Sequence, residues 1–236
     1  MKSIFHPAAG RGHNTFSWLD SYHSFSFGQF YDENKVHFGA LRVLNDDTVA
    51  PGMGFGAHPH DNMEIVSIPL EGALEHRDSM GNNGVIRVND VQIMSAGTGI
   101  QHSEFNHSKT EEVKFLQIWV FPRERQIEPR YDQKTFDLDA ETNQWQILVD
   151  PQGGVGVRIA QEAWFSVAKL DAGSTLNYDV KRQGNGTYFF VLDGKVSIEE
   201  KELANRDALG IWEVPSVNVS ALEPARVLAI EVPMEL

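Results

Sequence analysis

The stretch GFGAHPHDNMEIVSIPLEG, residues 54–72, decides how the chain is read. It places His58 and His60 two residues apart, follows them with an apolar, β-branched run, and ends on Leu-Glu-Gly. On a strand, residues i and i+2 point to the same side, so both imidazoles enter one interior together. The run after them reads as a further strand, and Gly72 supplies the permissive backbone of a tight turn. A second stretch, GTGIQHSEFN at 97–106, repeats the spacing with His102 and Glu104. Two facing strands would deliver three neutral nitrogens and one carboxylate to a single ion, a set that suits Fe(II), Mn, Ni, Cu or Zn. Around a six-coordinate ion, four protein ligands leave two positions open, the mark of a reactive rather than a structural site.

Outward from these stretches, strand signals dominate. SFSFGQFY (24–31), MEIVSIPLEG (63–72), FLQIWVF (115–121), WFSVAKL (164–170), TYFFVLDG (187–194) and VLAIEVP (227–233) are short β-rich runs between turn residues. Convincing amphipathic helices are scarce, so the expected class is all-β, with sandwiches or barrels. Residues 122–144 are charged and carry little β pattern, and read as a connector between a module over 1–121 and another over 145–236. An internal echo supports two modules: Leu70-Glu71-Gly72 and Leu192-Asp193-Gly194 each read as strand, turn, strand. Aligning these turns sets Val180, Arg182 and Gly186 opposite His58, His60 and Glu64. None of the three is a plausible ligand. All nine histidines lie between His6 and His107, so only the first module can hold a histidine-based site. The acidic group Glu199, Glu200 and Glu202 reads as a solvated turn.

Composition sets the limits. The chain has 236 residues, is 41% hydrophobic, and carries 20 Lys and Arg against 33 Asp and Glu, for a net charge of −13. That balance opposes direct binding to nucleic acid, whose phosphates need a cationic face. There is no cysteine, so a metal would be held by nitrogen and oxygen alone. The start has no apolar run of signal-peptide length, and no segment approaches the roughly 20 apolar residues of a membrane span. The expectation is a cytoplasmic protein, monomeric, with no membrane contact.

The motifs also carry a family resemblance. Gly52-x5-His58-x-His60-x3-Glu64, closing at Gly72, resembles the first cupin motif, and Gly99-x2-His102-x3-Asn106 the second. The closing glycine comes one residue late, and Gly97 stands where a proline is usual. More specifically, RGHNTFSWLDSYHSFSFGQFYD (11–32), LRVLNDD (41–47), HRDSMGN (76–82), MSAGTGIQHSE (94–104) and PRYDQ (129–133) resemble the pirin family, densely over 11–133 and diffusely beyond. The resemblance implies a bicupin, two double-stranded β-helix (jelly-roll) barrels with metal only in the first. It also decides between two acids. Glu64 matches a glutamate that many cupins use as ligand, but in pirins the acidic ligand lies two residues after the third histidine, here Glu104. The implied metal ligands are therefore His58, His60, His102 and Glu104, with Glu64 a carboxylate that orients a ligating imidazole. The implied cofactor is one divalent transition metal, Fe(II) foremost, with Ni, Mn, Cu, Co or Zn as alternatives.

Some pirins resemble quercetin 2,3-dioxygenases, which cleave a flavonol with O2 and release carbon monoxide. The implied activity is then a metal-dependent dioxygenase acting on a small aromatic, flavonol-like substrate, with Glu104 as catalytic base. Two other functions follow from the same resemblance: a metal-dependent regulatory protein binding a transcription factor or metabolic enzyme, and a cupin acting on another small molecule. Among the remaining residues, His23 and His13 are open between pocket and packing roles. His6, His37, His76 and His107 read as surface or turn residues. Trp18, Phe25, Phe27 and Phe55 are the candidates for an aromatic pocket, Phe55 foremost.

Overall fold

A computed structural model describes residues 1–236, in 22 strands and one turn of 3-10 helix at Ala8–Gly10. No helix is long and apolar enough to cross a membrane. The first half contains Lys2–His6 (β1), Gly12–Thr15 (β2), Leu19–His23 (β3), Leu41–Val49 (β4), Gly54–His60 (β5), Glu64–Glu71 (β6), Ala73–Asp78 (β7), Asn83–Arg87 (β8), Asp90–Ser95 (β9), Ile100–Asn106 (β10), Val113–Val120 (β11) and Arg130–Thr135 (β12). The second contains Gln146–Asp150 (β13), Val157–Arg158 (β14), Trp164–Leu170 (β15), Thr175–Asp179 (β16), Asn185–Asp193 (β17), Val196–Ile198 (β18), Lys201–Leu203 (β19), Ala208–Trp212 (β20), Ser216–Ala221 (β21) and Ala225–Pro233 (β22).

The internal repeat is complete. One half pairs β9-β6-β11-β4 in a large sheet and β5-β10-β7-β8 in a small one; the other pairs β20-β17-β22-β15 and β16-β21-β18-β19. Each strand from β4 to β11 thus has its counterpart eleven strands on, which is the expected pair of jelly-roll barrels. Both Leu-acid-Gly turns carry the chain from the large sheet to the small one, from β6 to β7 and from β17 to β18, with Gly72 at φ 73° and Gly194 at φ 79°. A Cβ at Gly194 would meet the Pro224 carbonyl at 2.1 Å, so both the left-handed backbone and the close approach require glycine. Glu199 and Glu200 form the exposed β18–β19 turn, both with positive φ.

The two large sheets pack face to face. Their shared core takes Leu116, Ile118 and Val120 from β11 and Leu228, Ile230 and Val232 from β22. With a period of two, the alternate residues of those strands face into their own barrels. Both faces are covered, which is why these strands read as nearly continuous apolar runs. The second barrel is filled: Tyr178, Phe189, Val217 and Val219 belong to one apolar cluster of 16 buried residues. The first holds only two small apolar clusters, one around Phe115 and Leu74 and one around Ile65 and Met94.

Three expectations change. β1, in the first module by sequence, pairs with β20 of the second, from Lys2↔Trp212 to His6↔Ala208. The stretch 122–144 is not all connector, because β12 extends the first large sheet along β9. It is an edge strand with one partner and a largely polar surface, so it carried no alternation to read. SFSFGQFY forms no named strand; Phe27 and Phe30 exchange backbone bonds of 3.0 Å around a turn in which Gly28 has φ 57°.

Candidate metal centre

Strands β5 and β10 run antiparallel with His58 opposite His102 and His60 opposite Ile100. The three imidazoles converge, with ring centroids 4.5, 4.8 and 4.9 Å apart. Between His102 and Glu104 the register slips from His58 to Phe55, so β5 carries one extra residue and bends there. Gly54 permits the close approach that follows, since a Cβ on it would lie 2.2 Å from the Glu104 carbonyl.

The hydrogen bonds leave ligand atoms free. His58 Nδ1 donates to the Gly56 carbonyl at 2.8 Å, which fixes the proton on Nδ1 and leaves Nε2 its lone pair. His102 is 3% exposed, and neither of its ring nitrogens has a hydrogen-bond partner. An imidazole buried with nothing on either nitrogen is costly unless something accepts its lone pair. Burial, with the neighbouring imidazoles, pushes His102 down to about 3 and His60 down to about 4. Both are therefore neutral at pH 7, the form that binds metal. The donor set fits a divalent transition-metal ion.

Glu104 is equally buried. Oε1 accepts from Ser67 Oγ at 3.1 Å and Oε2 from Gln117 Nε2 at 2.8 Å. Those two donors belong to a polar row that crosses the large sheet through paired positions: Gln133, Gln92, Ser67, Gln117, Asn45 and His23. Such a row is unusual on the inward face of a sheet, and here it underlies the floor of the site.

His76 was expected at the surface but is fully buried. It sits opposite Glu104 on β7, with Nε2 3.3 Å from Asp78 Oδ2 and Nδ1 unpartnered. Ligand atoms of His58, His60 and His102 lie within 4.8 Å of one another, and so do those of His76, His102 and Glu104. The geometry therefore gives two triads joined at His102, with Glu104 grouped on the His76 side. The available signal for His76 was parity: it shares a strand face with Leu74, which is also buried.

Other positions sort as follows. His6 is buried rather than superficial, with Nδ1 2.9 Å from the Tyr188 hydroxyl. His37 bonds the Gly39 carbonyl in a turn, and His107 is exposed beside Glu75. His13 pairs with Asp20 on the surface. Glu64 touches no imidazole. It accepts from Ser95 Oγ and from the Ala160 backbone N–H, each at 2.9 Å, and so ties the first barrel to the second half. Burial raises its carboxyl above the usual range.

His58, His60, His102 and Glu104 all border one cavity of about 250 Å³. Phe27 and Phe55 line it, as anticipated, but Phe25 packs against Tyr188 in the shared core and Trp18 lies edge-on behind Phe55. Trp119 lines it unanticipated, its ring 4.9 Å from His60. Period two along FLQIWVF puts Phe115, Gln117 and Trp119 on one face, a reading open from the sequence.

Comparison with known proteins agrees with this architecture. A family described as Pirin matches residues 5–120, and one described as quercetinase C-terminal cupin domain matches 147–232. The quercetin 2,3-dioxygenase of Escherichia coli K12 is 40% identical over 226 residues, covering 94% of this chain and 95% of that protein. The chain belongs to the pirin family. A putative quercetin 2,3-dioxygenase of Mycobacterium tuberculosis H37Rv is 40% identical to this pirin over 97% of its chain and 94% of the relative. A bacterial pirin from Escherichia coli in complex with nickel(II) superposes on this pirin with a TM-score of 0.92 at 36% identity, over 98% and 99% of the two chains. An oxalate decarboxylase from Lactobacillus farciminis, at 11% identity and TM-score 0.70, shares the fold alone.

Proposed function

We propose that this pirin is a metal-dependent dioxygenase that cleaves a flavonol with O2 and releases carbon monoxide. The observation that carries the proposal is His102, buried with two unpartnered nitrogens among His58, His60 and Glu104, at the wall of an aromatic-lined cavity. The names of the relatives support the reaction, and the nickel complex of a bacterial pirin supports a divalent ion. His58, His60, His102 and Glu104 would hold that ion, Fe(II) being our first assignment. When bound, it supplies Lewis acidity toward a substrate oxygen and access for O2.

The protein's own residues do the rest. Glu104 is the group placed to take the proton of the flavonol 3-hydroxyl, since a carboxylate within reach of a substrate hydroxyl is a competent base. Ser67 and Gln117 hold its two oxygens in one orientation, so no freedom is lost when substrate arrives. Phe27, Phe55 and Trp119 offer flat apolar walls to an aromatic ring and keep water from it. The atoms balance: the flavonol takes up both oxygen atoms and loses one carbon and one oxygen as CO, leaving an ester of two phenolic acids.

The test is elemental analysis of the purified protein, then quercetin added first under nitrogen and next in air. We expect loss of flavonol absorbance only in air, equimolar carbon monoxide, and neither in His58→Ala. Full metal content without turnover would overturn the proposal. Glu104→Gln should cut turnover more than metal content; an equally active variant would remove Glu104 from the base role.

A further inference from the structure

On β3 and β4 the same cavity has a second polar wall, which the reaction above does not use. It comes from two neighbouring strands. Asn45 pairs with His23 and Asp47 with Ser21 across β4 and β3. All four side chains border the cavity, and each is at least nine-tenths buried, between 2% and 4% exposed. Ser21 Oγ bonds Asp47 Oδ1 and lies 2.8 Å from His23 Nε2, so the three form a short chain.

This wall has unused hydrogen-bonding capacity. Asn45 Oδ1 and His23 Nδ1 are buried without partners. Asp47 makes one hydrogen bond, through Oδ1, and no ion pair. Burial, with Asp46 and Glu104 nearby, pushes its carboxyl up to about 7. One hydroxyl is all the fold offers this carboxyl, and a carboxyl kept in a buried place with a single partner is costly. Buried polar groups left unsatisfied call for a ligand.

The chemistry narrows the ligand. Asn45 presents an acceptor in Oδ1 and a donor in Nδ2, and the Asp47 carboxyl accepts when ionised and donates when protonated, so a hydroxyl, which can do both, suits the wall. Asp47 and Glu104 make both ends acidic, which disfavours a carboxylate or phosphate. The walls between them are the aromatic rings of Phe27, Phe55 and Trp119. We infer that Asp47, Asn45 and the Ser21–His23 pair form a second polar subsite within the same cavity that binds a second hydroxyl of a polyhydroxylated aromatic substrate. The inference rests on the dioxygenase reading for its substrate class only. Asp47 acts as a specificity determinant for compounds bearing a hydroxyl beyond the one that meets the histidines.

The experiment compares 3-hydroxyflavone, with one hydroxyl, against galangin and quercetin, with several. Binding is measured by calorimetry under nitrogen, on metal-loaded and metal-free full-length protein, and turnover is measured separately in air. We expect the polyhydroxylated compounds to bind at least about tenfold tighter than 3-hydroxyflavone, the range of one hydrogen bond to a charged or polar buried group. Asp47→Leu should shrink that gap to below about threefold, leaving 3-hydroxyflavone affinity and metal content unchanged. Its Tm should not fall, because a poorly satisfied buried carboxyl is gone; a merely structural Asp47 would give a lower Tm. Ser21→Ala, a smaller change, should reduce the gap in the same direction, and Asp47→Asn should retain most of it. An unchanged gap in both Asp47→Leu and Ser21→Ala, or no gap in the unmodified protein, overturns the inference. A gap that depends on Asp47 without turnover of any flavonol sustains the subsite and removes the dioxygenase.

Discussion

Gln117 Nε2 donates to Glu104 Oε2 at 2.8 Å, and the two residues are 13 apart in sequence on different sheets of the barrel. The large sheet thereby sets the orientation of a carboxylate carried by the small one. Gln117→Leu would leave Oε2 without its donor while keeping the volume of the side chain. We expect metal affinity to fall by about 10- to 100-fold, the usual effect of removing an outer partner of a ligand. Competition with a chromophoric chelator measures it. Unchanged affinity would mean that Glu104 needs no such support.

The two triads that share His102 make different forecasts. With the ion between His58, His60 and His102, His58→Ala or His60→Ala should weaken metal binding by more than about 100-fold, beyond the range of outer partners. His76→Phe, which fills the same buried space, should stay within about tenfold of the parent. Metal content by mass spectrometry after dialysis separates the cases. The reverse order would move the centre to His76, His102 and Glu104.

Asp46 binds both halves. Its Oδ2 accepts from Arg11 Nη1 at 3.0 Å and from Arg206 Nε at 2.7 Å, and Arg206 belongs to the second half. The Arg11 side chain is 9% exposed, so Asp46→Ala would strand a nearly buried cation. We expect a loss of about 2 kcal/mol, which lowers Tm by about 4–8 °C in a chain of this length. Calorimetric melting measures it. The interface is held mainly by the apolar core between the sheets, so the transition should stay single.

His6 predicts a pH dependence. Burial, with Lys35 adding to it, pushes this imidazole down to about 4 from its ordinary 6.5. A lowered value means that the unfolded chain binds the proton more readily than the folded one. The contribution of His6 to stability is therefore present above pH 6.5 and is lost as pH falls through 4, a change on the order of 2–3 kcal/mol. His6 lies on β1, away from the metal centre, so His6→Leu should flatten this part of the stability curve with or without metal. It should also cost about 1 kcal/mol at pH 7, because the Tyr188 hydroxyl loses its partner. Denaturant melts between pH 4 and 7 report both.

Much of the site was legible in the chain itself. The pairs His58/His60 and His102/Glu104 are local signals, because a strand returns to the same face every two residues. The repeat was legible for the same reason, since a tight turn is written in three adjacent residues, Leu70 to Gly72 and Leu192 to Gly194. Even Trp119 and Gln117 could be assigned to one face of β11 by counting. What sequence periodicity could not supply was which strands lie beside one another. Glu64 has the parity of a ligand, yet it meets Ala160, 96 residues away, because the second half packs against its end of the sheet. His76 is buried because its face of β7, beside β10 in the small sheet, turns into the barrel, and β1 leaves its own barrel because the free edge of β20 accepts it. Nothing in LRVLNDD marks Asp47 as buried; pairing of β4 with β3 on an inward face brings Ser21 to it. Ligand spacing is a property of one strand and can be read along the chain; burial and hydrogen-bond partnership are properties of neighbouring strands, and only the closed barrels decide them.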